Sequence, residues 1–69
     1  MKEKIIMTNE NEPNKLLLRH KHLLNKECGV VIIHTYDEEG KDITYYLTDK
    51  ILGYPVLYSS DTMKYILDI

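Results

Sequence analysis

Three histidines and one cysteine, His20, His22, Cys28 and His34, fall close together in a chain of 69 residues. These are the side chains that bind zinc or that pair a thiolate with a base. Zinc sites built from such ligands draw on paired cysteines or on histidines four apart along a helix. His20 and His22 are two apart, which on a helix turns them about 200° away from each other. A set of His20, Cys28 and His34 still lacks a fourth ligand, so neither a metal nor another cofactor is expected. Cys28 and His34 also name a nucleophile and a base. Cys28, however, closes a predicted helix, where the negative end of the dipole disfavours the thiolate that such chemistry needs. Glu38 and Glu39 are adjacent carboxylates, but they stand at a turn tip in water, where they serve solubility. So short a chain has little room for a concave substrate pocket. The expectation is a protein that is not an enzyme.

Tyrosine is the remaining chemistry-bearing type. There are six (Tyr36, Tyr45, Tyr46, Tyr54, Tyr58 and Tyr65) and no Trp or Phe. Their amphipathic rings suit half-buried strand positions, and they are also enriched at protein interfaces. Tyrosine can stack single-stranded bases too, yet that mode works beside concentrated positive charge. Here nine basic residues are interleaved with eleven acidic ones, for a formal net charge of −2 and a pI near 5.8. No basic patch appears in the linear sequence, and no acidic block is long enough to mimic DNA. A protein partner is therefore preferred, and a nucleic-acid-binding regulator is the alternative.

Size points the same way. A chain of this length buries only roughly 60% of its unfolded surface and commonly leans on disulfides, a metal, exceptional packing or a second subunit. Cys28 is the single cysteine, which excludes an internal disulfide and suits a reducing compartment. Met1–Met7 lacks the apolar core of a signal peptide, and the longest apolar run, Val30–Ile33, is far too short to span a bilayer. A cytoplasmic location with no membrane contact is expected. Lysine outnumbers arginine eight to one, a usage that suits an AT-rich genome such as that of a low-GC bacterium or its phage.

The elements that would position these residues follow from pattern. Residues 1–69 read as one domain, with 1–12 forming an edge strand (Lys2–Thr8) and a polar loop; disorder competes with that strand, which has only three apolar residues. Pro13–Glu27 reads as a helix, with Pro13 in its first turn and Gly29 as its stop. Leu16, Leu17, His20, Leu23 and Leu24 share one face of it. His20 is expected to be largely buried and His22 largely exposed. Val30–Thr48 reads as a hairpin around Glu38-Glu39-Gly40, a three-residue loop with Gly40 left-handed. That loop pairs Asp37 with Lys41, Thr35 with Ile43, Ile33 with Tyr45 and Val31 with Leu47. A four-residue loop, Asp37–Gly40, is the rival register. The chosen register sends Val31, Ile33, Thr35, Ile43, Tyr45 and Leu47 to a core face. Val30, Ile32, His34, Tyr36, Asp42, Thr44, Tyr46 and Thr48 go to the other. Asp49–Gly53 reads as a single helical turn and Val56–Ser59 as a strand. Ser59-Ser60-Asp61 then offers a helix cap ahead of Met63, Ile66 and Leu67. The alternation of Met63, Tyr65, Leu67 and Ile69 competes with it as a strand.

The expected architecture is a small α+β two-layer sandwich, β-α-β-β-β-α, with an antiparallel sheet. Without its first strand that element order is similar to the order in double-stranded RNA-binding domains. Such domains open their final helix with a basic cluster, where this chain has Ser60-Asp61-Thr62. The function expected is that of a small non-enzymatic regulatory protein, of the kind a phage or mobile element encodes. It would act by docking on a larger protein or as a homodimer. Its partner-binding residues would be Ile32, His34, Tyr36 and Tyr46, on the sheet face turned away from the helix.

Overall fold

The hairpin is the frame on which the rest is hung. The computed structural model describes residues 2–59 in full and the backbone of 65–67. Strands β2 (Cys28–Tyr36) and β3 (Asp42–Thr48) run antiparallel, with Val31 opposite Leu47, Ile33 opposite Tyr45 and Thr35 opposite Ile43. The turn sets this register. Gly40 has φ +83° and donates to the Asp37 carbonyl at 3.0 Å, while the Asp37 N–H donates to the Lys41 carbonyl at 2.9 Å. The Asp37 carboxylate accepts from the N–H groups of Glu39 and Lys41, both at 2.9 Å, so the loop satisfies its own backbone donors. This is the three-residue loop, and the four-residue alternative is excluded by the pairing.

Strand β1 (Lys2–Met7) adds to the edge of β2, with Ile5 opposite Ile32 and Ile6 opposite Ile33, and it runs parallel. The sheet is therefore mixed, where an antiparallel one was expected. The reason is topological: the chain leaves β1, crosses back over the sheet through a helix and re-enters at the same end, which makes the two strands parallel. Strand β4 (Val56–Ser59) falls on its expected residues and pairs antiparallel with β3, setting Leu57 against Leu47 and Tyr58 against Tyr46.

Two further expectations fail. The helix expected at Pro13–Glu27 is α1, Pro13–His20, followed by a 3-10 turn over Lys21–Leu23. Leu24 is already extended, at φ −74° and ψ 130°. The Asn25 side-chain oxygen explains the stop: it accepts from the N–H groups of Glu27 and Cys28, both at 2.8 Å. Short amide side chains compete in this way with the helical ladder, and apolar spacing alone does not reveal it. The C-terminal helix is the second failure. Tyr65–Leu67 is strand β5, antiparallel to β4 with Leu57 opposite Ile66. The free edge of β4 offers a full set of backbone partners, and the alternating pattern uses them. The proposed cap residues Ser60 and Asp61, with Met63, lie outside the described residues. The element order of the described residues is thus β-α-β-β-β-β, and the resemblance to the RNA-binding order ends at Tyr65–Leu67, a strand where that order has a helix.

The described strands form one sheet in the order β1-β2-β3-β4-β5, an α+β fold with a single α-helix among the described residues. The helix lies on one face. Leu16 and Leu17 pack there against Val31, Ile33, Tyr45, Leu47 and Leu57, all with at most 7% of their surface exposed. Ile6, Leu23, Leu24, Cys28 and Ile43 surround this cluster. The two buried threonines are satisfied: Thr35 donates to the Glu10 carbonyl at 2.8 Å and Thr48 to the Gly29 carbonyl at 2.6 Å. Among the described residues, no helix is long and apolar enough to cross a membrane.

Candidate functional site

Because side chains alternate along each strand, register alone defines what the face away from the helix carries. The Cα partners Ile5, Ile32, Tyr46 and Tyr58 make a row across four strands, and Tyr65 of β5 is the register partner of Tyr58. Met7, His34 and Thr44 make the next row, and Tyr36 and Asp42 pair beyond it. Glu3, Val30, Thr48 and Val56 lie on the other side of the first row.

This face is open over most of its width. Met7 keeps 83% of its surface, Ile5 60%, Tyr36 49% and Tyr46 39%. His34 is exposed and shares a hydrogen bond with Thr44 at 3.2 Å (Nδ1 to Oγ1); Ile32 is half-buried. Only the end that carries Thr48 and Val56 is closed. There the Thr48 hydroxyl accepts from the Lys50 N–H at 3.2 Å, and the Gly53 N–H donates to the Asp49 carbonyl at 3.1 Å, one turn of helical bonding in the loop. That loop leaves Ile51 beside the sheet, lining with Tyr46, Thr48 and Tyr58 an apolar groove of about 320 Å³.

The four residues singled out from sequence, Ile32, His34, Tyr36 and Tyr46, thus share one surface. Sequence reasoning missed Ile5 and Met7, because nothing in β1 states whether it pairs parallel or antiparallel, or with which strand. It also missed Tyr58 and Ile51. The first was recoverable, since pairing β4 back on β3 sets Tyr58 beside Tyr46; the second depends on how the loop folds.

The reactive types do not converge. Strand β1 skips a residue of β2, pairing Lys2 with Cys28 and then Glu3 with Val30, which leaves Gly29 as a bulge. Cys28 therefore packs on the helix side, its thiol directed to the Val30 carbonyl at 3.3 Å, while His34 is on the open side. Six residues of strand separate them, about 20 Å. His22 is exposed, and His20 is half-buried at the end of α1, where it was expected to be largely buried. Desolvation there holds the His20 imidazole below its ordinary pKa, helped by the nearby charges of His22 and Arg19. Among the described residues, no three His, Cys, Asp or Glu side chains are grouped to hold an ion. Glu38 and Glu39 stand exposed on a wide polar cleft of about 510 Å³ shared with Asn11, Asp37 and Ile43.

No family model, no curated protein and no solved structure matches the chain.

Proposed function

We propose that this chain is a non-enzymatic interaction protein, a small cytoplasmic accessory or regulatory factor of the kind a phage or mobile element encodes. It works by docking the open sheet face on a protein surface. One observation carries the reading. The helix side of the sheet buries Val31, Ile33, Tyr45, Leu47 and Leu57, whereas in the row Ile5–Ile32–Tyr46–Tyr58 on the other side Ile5 and Tyr46 are exposed and Ile32 and Tyr58 only half-buried among the described residues. An antiparallel or mixed sheet with one solvated face normally presents polar residues there. A contiguous apolar row flanked by His34 and Thr44 is instead built like the centre and rim of an interface. Ile32, His34, Tyr36 and Tyr46 are the proposed contact residues, with Tyr46 and Tyr36 as anchors.

The test is retention of partner protein by the immobilised native chain and by a Tyr36→Ala, Tyr46→Ala double variant, each washed at low and at high salt. Docking through an apolar face predicts retention by the native chain at both salt levels and loss with the variant. The alternative, a nucleic-acid-binding regulator stacking bases on the tyrosines, predicts oligonucleotide binding that collapses as salt rises. Equal retention by chain and variant would remove the face from the account.

A further inference from the structure

We infer that the occupant of the open face is a second copy of this chain, packed sheet against sheet about a two-fold axis that runs along the row Ile5–Ile32–Tyr46–Tyr58. The inference rests on the docking reading above and narrows it to one partner. Charge is the first argument. Across a two-fold axis every residue near the axis meets its own counterpart, so an interface between copies must keep charge away from it. The two rows led by Ile5 and Met7 contain no Asp, Glu, Lys or Arg among the described residues. The acids of this face, Glu3 and Asp42, sit at opposite ends of the strands. An axis along the apolar row sets Ile5, Ile32, Tyr46 and Tyr58 each against its twin. It also turns Glu3 toward the row that holds Met7, and it separates Asp42 from the other Asp42. Two chains of net charge −2 can then meet without apposing like charges.

Shape and area agree. Aligned packing of two sheets arises when both carry a similar twist, and two copies of one sheet do so by identity. Strands β1, β2 and β3, about 4.8 Å apart and about six residues deep, make with the open part of the shorter β4 a face of roughly 300 Å² in projection. Upright side chains raise the accessible area above the projected one. Burying the face on both copies removes on the order of 1,000 Å², the size at which a specific interface begins. Tyr46 lies on β3, the middle strand of the order β1-β2-β3-β4-β5, so a tyrosine occupies the centre of the contact.

Sedimentation equilibrium of the purified 69-residue chain tests this, with Tyr46→Lys and Ile5→Lys as variants and far-UV circular dichroism as the check on folding. Ile5 is 60% exposed on an edge strand, so its variant keeps the fold even if Tyr46→Lys does not. The expected result is a native dimer and, for each folded variant, a dissociation constant raised about tenfold or more, because two lysines are brought together at the axis. A native chain that stays monomeric at millimolar concentration overturns the second copy. If the native chain then still retains another protein through Tyr36 and Tyr46, the docking reading stands without it; if not, both fall. A native dimer that Ile5→Lys leaves intact overturns the inference as well, since the contact then lies on another surface.

Discussion

The two faces of this sheet are made from the same strands, often from adjacent residues, and have opposite fates. On one side Val31, Ile33, Leu47 and Leu57 are fully buried under Leu16 and Leu17. On the other, Ile5, Met7, Tyr36 and Tyr46 remain open, although these too are large and mainly apolar side chains. The difference lies in what covers each face and not in the strands. Among the described residues one short α-helix covers one face only, and β1 and β5 widen the sheet edgewise. A single-layer cover over so small a sheet leaves apolar area that a partner would have to bury.

The sharpest way to break this comparison uses neighbours on opposite faces. Ile33→Ala removes a fully buried side chain from the cluster and should cost about 3 kcal/mol, whereas Ile32→Ala removes the same atoms from a half-buried site and should cost about 1 kcal/mol or less. Urea unfolding of both variants at low concentration measures the gap. Equal costs would mean that the open face is core.

A smaller effect is expected where the two residue sets are kept apart. Gly40 has φ +83°, and an added Cβ would meet nothing within 4 Å, so Gly40→Ala suffers backbone strain alone. About 1 kcal/mol of stability should be lost, with somewhat more for the β-branched Gly40→Val. A variant as stable as the native chain would show that the loop tolerates another geometry.

Removing Tyr36 and Tyr46 together should alter stability less still, shifting the thermal midpoint by under about 4 °C at concentrations where the chain is alone. Association should nonetheless be lost. A large fall in midpoint, with binding lost only through unfolding, would make these rings part of the fold and move the search to Leu18, which is 56% exposed on the helix.

The least effect belongs to His20. Its imidazole is held below the ordinary value of about 6.5, chiefly by burial, so the unfolded chain takes up a proton before the folded one does. The stability it contributes is fully present above that ordinary value and falls as pH drops toward the lowered one. His20→Leu should leave neutral-pH stability unchanged or slightly raised and should flatten this acid slope. Thermal melts across the acid range measure it, and an unchanged slope would assign the decline to other groups.

The hairpin was legible because its information is local. Gly40 and Asp37 decide the loop, the loop decides the register, and the register divides Val30–Thr48 into its two faces. The four residues Ile32, His34, Tyr36 and Tyr46 inherit their common side from that division. Helix length was not legible in the same way, since the leucine spacing through Leu23 and Leu24 persists beyond the point where the Asn25 side chain takes over the backbone donors.

The amino-acid sequence alone determined what rests on alternation and turn chemistry: the β2–β3 pairing, the residues of β4, the start of α1 and the sorting of the hairpin into a core set and a second set. Tertiary structure decided the rest. Whether β1 joins parallel and whether the C-terminal segment closes as a helix or as β5 both depend on backbone groups distant in the chain. A strand pattern states which side chains travel together; it does not state which edge or which cover they will meet.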